Sequence, residues 1–330
     1  MLRKKMVAMS MTFVALVIWL SWDNSVPLYI SAVKDGAVYP QAAFGTAGKA
    51  DDELMNRIRE EASARRIAPV EPRLDRVWKL IPGYNGVEVD IERTYTLNQQ
   101  TWSGGELQFV YREVEPGVRL EDLGAHPIYK GNPLKPMVAL MVNVAWGNEY
   151  IDPILKVLSD EDVKATFFLD GSWLSKNTDI AKKIQSAGHE MSNHAYSHPN
   201  MSQLDRAAAL SQITRTEKLL QEQLGVRNRW FAPPSGDYNQ QTVDIAAGEG
   251  LGTVLWTLDT VDWKKPAPEW IVRKISLRLE PGAMILMHPT ASSSEALPGM
   301  IAAIKSKRLE MGTVSELLST KRVGAVEQAS

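Results

Sequence analysis

The 330-residue chain has no cysteine, which excludes disulfide bonds, thiolate nucleophiles and zinc sites built on cysteine. It does not fix a compartment. The chain also lacks an excess of either charge. With 37 basic and 39 acidic residues its formal net charge is −2, so the whole-chain balance draws it neither to nucleic acid nor to acidic lipid. There is no repeat of fixed period and no low-complexity tract. Histidine is scarce, with five in all: His126, His189, His194, His198 and His288. A composition of 44% hydrophobic and 23% charged residues is that of a globular protein, and the length suits one large domain plus a smaller one.

The N-terminus carries a local signal. The basic segment MLRKK precedes Met6–Trp22, a run without charge. At ~1.5 Å per residue this run reaches roughly 25 Å as a helix, slightly short of a bilayer core. No A-x-A site follows directly, so residues 1–23 read as an uncleaved signal anchor. Arg3, Lys4 and Lys5 would stay in the cytoplasm and the rest of the chain would lie outside, or be secreted if the signal is cleaved. Residues 24–49 read as a tether.

Residues 50–123 read as a small α+β module. KADDELMNRIREEASARR is a charged helix. PRLDRVWKLIPG places Leu74, Val77, Trp78 and Ile81 at helical spacing, and Pro82-Gly83 stops it. GVEVDIERTYTL and ELQFVYREV alternate as strands do. The module has no phosphate loop and no metal-ligand cluster, and its Trp78, Tyr84 and Trp102 suit core or rim positions. Residues 124–136 are rich in Pro and Gly and read as a linker. From 137 to 320, strand-like runs (MVALMVNV, KATFFL, HEMSNH, NRWFAP, GTVLWTL, AMILMH) alternate with helical stretches. One helix has Ser202 as candidate N-cap and Gly225 at its end, and the last opens on a capping box from Thr313 to Glu316. Such alternation implies an α/β fold with a parallel sheet or barrel, whose chemistry gathers at the C-terminal ends of the strands. Residues 321–330 read as a frayed tail.

The polar residues cluster at those strand ends. His194 and His198, four apart in NHAYSHPN, can aim two imidazoles at one ion. Asp259 and Asp262 follow one apolar strand, His288 ends another, and the rigid FAPPSGDYN turn follows a third. Each alone could be a cap or a turn. Together they point to one site.

In order and content these elements resemble the polysaccharide deacetylase family with its NodB-homology domain, over about Lys135 to Ser319. NVAWGNEY, PIYKGNP and FAPPSGDYN are similar to a subgroup of deacetylase-like proteins from spore-forming bacteria. The resemblance implies a distorted (β/α) barrel that removes acetyl groups from chitin-like sugars, peptidoglycan or xylan. It implies a divalent metal, zinc being the first candidate, with an N-acetylated cell-wall glycan as partner. It makes His194 and His198 the metal-binding histidines, His288 the general acid and Asp262 its tuning carboxylate. Trp263, Leu286, Pro234 and Trp146 would line the substrate groove.

Other family positions have changed. The base aspartate is Asn143, and the ligand aspartate beside it is not clearly filled, since Val144 follows. Ala195 stands for the Ser or Thr that braces the histidine loop, and Ala232 for the arginine that orients the base. A metal lowers the pKa of its bound water and a carboxylate takes the proton, which a neutral amide cannot do. Three readings stay open. The chain is a non-catalytic glycan binder, a rewired hydrolase that uses Glu149 as substitute ligand or base, or a surface scaffold acting through its N-terminal module. Glu149 equally suits a helix start, where the dipole favours an acid.

Overall fold

A computed structural model describes residues 42–324, with side chains from residue 51 onward. The expected anchor and most of the expected tether lie outside the described residues. Among those described, no helix is long and apolar enough to cross a membrane. Helix α1 runs Ala42–Ala64 and so begins inside the stretch read as tether, where an alanine-rich sequence favours helix.

The contacts divide the chain into two compact units, one of residues up to 61 with 91–108, the other of residues 62–90 with 109 onward. The span read as one module at 50–123 is therefore shared between them. In the smaller unit, α1 buries Leu54 and Ile58, and α2 spans Ile91–Asn98. The buried Asn98 amide donates to the Thr94 and Gln108 carbonyls at 2.7 Å each. A strand was expected through Leu97, but only Gly86–Val89 (β3), which belongs to the larger unit, is extended, paired antiparallel with β4, Tyr111–Val114, of the same unit.

In the larger unit the helix expected over residues 72–83 is instead a hairpin. β1 (Arg73–Asp75) pairs antiparallel with β2 (Lys79–Ile81). The Asp75 carboxylate accepts the Val77 and Trp78 N–H groups at 2.8 Å each and folds the chain back, which leaves Leu74 and Val77 exposed.

The body of this unit is a mixed α/β fold around a curled, eight-stranded parallel sheet. Its central strand β5 (Met137–Val144) is flanked by β11 (Met284–Met287) and β6 (Thr166–Leu169). Beyond β6 come β7 (Glu190–Asn193), β8 (Trp230–Phe231) and β9 (Gly252–Thr253), while β10 (Leu258–Asp259) lies outside β11 and β12 (Glu310–Gly312) joins the start of β5. β5 is buried on both faces, which is why it reads as one apolar run. Val138, Leu140, Val142 and Val144 enter the core under the helices, whereas Met137, Ala139 and Met141 enter the core of the concave face. The helices over the sheet include α3 (Asn148–Asp160), α4 (Gly171–Leu174), α5 (Thr178–Ser186), α6 (Arg206–Leu224), α7 (Gln240–Gly248), α8 (Pro268–Arg278), α9 (Ala291–Ser306) and α10 (Val314–Leu318).

Several boundaries differ from the sequence reading. GTVLWTL is two short strands, because Ile128 pairs with Val254 and the Leu255 N–H donates to the Ile128 carbonyl. The supposed linker is thus built into the gap in the sheet, and Lys130 pairs with Ala283. The cap of α6 is Asp205, which accepts the Ala208 N–H at 2.8 Å, while Ser202 donates to Asp237. Arg322, read as tail, donates to the Asn85 carbonyl at 2.9 Å. Gly225 and the Thr313–Glu316 capping box sit where the sequence places them.

Candidate active site

The strand ends deliver the polar residues in order. Asn143 is the last residue of β5 on the concave face and only 2% exposed. Its side-chain oxygen has no hydrogen-bond partner. Val144 packs into the opposite core, so its side chain is turned away from the mouth. A carboxylate at 144 would be buried among Val142, Leu169 and Met287 rather than offered to a metal.

After β7 the chain turns sharply through Ala195 and His198, both at positive φ. His194 is fully buried. Its Nδ1 lies 2.7 Å from the Ala232 carbonyl, and its ring is 5.2 Å from that of His198. Burial, with the His198 imidazole beside it, lowers the His194 pKa to about 3, so the ring is neutral at pH 7. Without a Ser or Thr at 195, other groups brace this loop. Thr216 donates to the Ala195 carbonyl at 2.8 Å, Asn193 accepts the Ala195 N–H, and Gln212 accepts the Tyr196 and Ser197 N–H groups.

Across the mouth, Asp262 is fully buried in the turn after β10. One of its oxygens accepts the His288 backbone N–H at 2.6 Å and the other lies 2.8 Å from His288 Nδ1. This fixes the imidazole and leaves Nε2 as its free nitrogen. Trp146 stacks on His288, with ring centres 5.4 Å apart and planes 14° apart. Gly147 permits that approach. It sits at φ +82, and a Cβ there would meet the Pro289 carbonyl oxygen at 2.0 Å. Leu286 lies buried in β11, Pro234 is buried in the turn after β8, and Trp263 is exposed.

Two expected residues are placed elsewhere. Glu149 is exposed in the first turn of α3, the helix-start position, and is not brought to the histidines. Asp259 accepts the Val261 N–H at 2.7 Å and serves the turn. Sequence reasoning missed Asp170. It is buried at the end of β6, its N–H donates to the Val144 carbonyl, and one of its carboxylate oxygens has no partner. Its signal was available, an acid directly after the apolar run KATFFL.

The donors present do not fit the metal that the family implies. Among the described residues no group of three or more His, Cys, Asp or Glu side chains could hold an ion. Two imidazoles remain after β7, and the buried side chain that ends the concave face of β5 is a neutral amide.

The polysaccharide deacetylase model matches residues 130–254, which include Asn143, both loop histidines and Ala232. A peptidoglycan-N-acetylglucosamine deacetylase of Bacillus cereus is 32% identical over 193 residues, 57% of this chain and 70% of that protein. The chain belongs to the polysaccharide deacetylase family. The uncharacterized protein YlxY of Bacillus subtilis is 44% identical over 295 residues, 89% of this chain and 90% of that one. The crystal structure of a CE4 family pseudoenzyme from Bacillus anthracis matches with a TM-score of 0.74 at 43% identity, covering 82% of this chain and 96% of that chain. A mutant of that pseudoenzyme with restored enzymatic activity also matches with a TM-score of 0.74, at 42% identity and over 82% and 99% of the two chains. The degenerate centre of this deacetylase-family chain thus has a counterpart among its relatives.

Proposed function

We propose that the protein binds an N-acetylated, peptidoglycan-type glycan outside the membrane, held there by its N-terminal segment, and does not deacetylate it by the metal-dependent route. The observation that carries this reading is Asn143. The position of the base holds a neutral, buried amide, and no carboxylate completes a metal set with His194 and His198. The mouth still suits a sugar. Trp146 and Trp263 are 44% and 54% exposed, and aromatic rings of this kind stack on sugar faces. Service in spore formation is part of the same proposal, motivated by the likeness to proteins of spore-forming bacteria.

The test uses the full chain in detergent. N-acetylglucosamine oligomers and peptidoglycan fragments are titrated calorimetrically, with acetate release followed in the presence of zinc. Binding without acetate is expected. Acetate release that His194→Ala and His288→Ala both abolish would overturn the proposal.

One observation favours a second reading, a dormant hydrolase. The Asp262–His288 pair keeps both carboxylate oxygens engaged, an arrangement a pure binder does not need. This reading expects acetate from a variant carrying Asn143→Asp and Ala232→Arg together, and none from either change alone.

A further inference from the structure

Helix α8 buries Ile271 and Ile275 and turns a different set of residues outward. Trp270 is 48% exposed and Leu277 is 74% exposed. They stand seven positions apart, with Arg273 and Lys274 between them on the same face of the helix. Arg278 follows, and Lys264 and Lys265 are exposed in the turn before the helix. From Trp263 to Leu279 the chain carries five cations and a single carboxylate, Glu269, in a protein whose net charge is −2.

None of the five cations belongs to an ion pair among the described residues. Instead, Lys264 lies 4.8 Å from the centre of the Trp263 ring and Lys274 lies 5.1 Å from that of Trp270. Burial first holds the Lys274 ammonium below the usual lysine range. Asp259 opposes that shift, and Arg278 and Lys264 add to it. Turn and helix therefore share one electrostatic field.

We propose that this face docks on the surface of a phospholipid membrane with anionic headgroups. The cations meet headgroup phosphates, and Trp270 and Leu277 enter the boundary between headgroups and acyl chains. A neutral glycan would leave the five cations without a role. A soluble anionic polymer would leave Leu277 in water. A bilayer surface satisfies both sets of side chains. The proposal is independent of whether the mouth binds or cleaves glycan.

The apolar stretch Met6–Trp22 would hold the full chain on any vesicle, so the test reads the patch locally. The chain has no cysteine, so Glu269→Cys can carry one environment-sensitive fluorophore beside the patch, and Lys218→Cys carries it on α6 as control. Both proteins are reconstituted in phosphatidylcholine vesicles with and without phosphatidylglycerol. The label at 269 should shift to the blue only with phosphatidylglycerol, and the shift should vanish in high salt. The label at 218 should not respond. Arg273→Gln with Lys274→Gln should lower the ratio of docked to free label about 30-fold, at roughly a few-fold to tenfold per basic residue. The salt titration needs no substitution among the five cations and stands even if that variant misfolds. Equal spectra on the two vesicle types would overturn the proposal. So would an equal blue shift on adding soluble poly(glycerol phosphate), which would assign the patch to an anionic polymer.

Discussion

The two sides of the mouth are built to different standards. On the β10–β11 side, a fully buried carboxylate has both oxygens engaged by His288, and the His288 carbonyl in turn accepts the Ser293 hydroxyl. On the β5–β8 side, a buried amide oxygen has no partner and the third motif offers only Ala232. The difference follows from the cost of burying charge. A carboxylate persists where its partners persist and is absent where its arginine is absent, because an uncompensated buried charge is expensive. Charge and partner go together at Asp262 and at Asn143, whereas Asp170 at the end of β6 keeps a buried carboxylate with one oxygen unpartnered.

The most direct way to break this comparison is to put the charge back alone. Asn143→Asp should destabilise the fold by about 3–5 kcal/mol at pH 7.5, the usual range for an unpaired buried charge. Burial would raise the folded pKa of the new acid above its unfolded value of about 3.9. The unfolded chain then releases the proton first as pH rises. The cost is therefore present above that value and fades below it, so urea midpoints of variant and parent should converge near pH 4. Adding Ala232→Arg should recover part of the loss at pH 7.5. A single variant as stable as the parent at pH 7.5 would show that this side tolerates charge after all.

His189 sharpens the contrast. Like His288 it is buried, but its Nδ1 accepts the Ala165 N–H at 3.2 Å and its ring lies against Phe167, with no carboxylate between them. Burial, helped by Lys164, lowers its pKa to about 4. Between that value and an unfolded value of about 6.5 the unfolded chain binds the extra proton, so stability rises with pH across this window and is complete above it. Up to about 3 kcal/mol should be lost as pH falls from 6.5 to 4. His189→Gln keeps an acceptor for Ala165 and should make this limb shallower in urea titrations, leaving the part that His194 contributes over the same window. An unchanged limb would assign the loss elsewhere.

A smaller effect compares the two sides residue for residue. Asp262→Asn should cost about 1–3 kcal/mol, because charge-assisted hydrogen bonds are lost and one amide N–H is brought against the His288 backbone donor. Asn143→Ala removes an oxygen that bonds nothing and should cost less than about 1 kcal/mol. Thermal unfolding of the two variants reads the difference. Equal losses would mean that Asn143 has a structural duty not visible in its hydrogen bonding.

How legible the site was depends on what kind of force places each residue. His194, His198, Asp262 and His288 were legible because a parallel sheet sends its strand ends to one mouth, and each follows a recognisable apolar run. The β5 run was legible for the same reason, with both faces buried. The hairpin at Asp75 was not, because a side chain bonding two N–H groups overrode a helical spacing of Leu74, Val77, Trp78 and Ile81. Glu149 looked close in sequence, yet six residues past Asn143 the chain has already turned into α3. Val144 could not be judged until the strand was seen to stay extended through it, which sends successive side chains to opposite faces. Asp170 was overlooked because an acid after an apolar strand is also an ordinary helix cap, and it does accept the Trp173 N–H at 2.9 Å.

The mildest substitution tests what the mouth is for. Trp146 lies over His288 and approaches His198 edge-on at 6.4 Å, so its ring covers both sides of the mouth. It is not buried beneath other chain, and Trp146→Ala should change stability by less than about 0.5 kcal/mol in thermal unfolding. If the ring stacks on sugar, the same variant should bind N-acetylglucosamine oligomers about tenfold more weakly, the equivalent of one aromatic contact. Trp270→Ala serves as the matched control, since it removes an equally exposed tryptophan from α8 and should leave glycan affinity unchanged. Equal losses from both variants would place glycan on α8 as well and remove the separation between a sugar-binding mouth and a membrane-facing helix. A loss from Trp146→Ala alone would tie the ring stacked on His288 to ligand binding and leave α8 outside the glycan site.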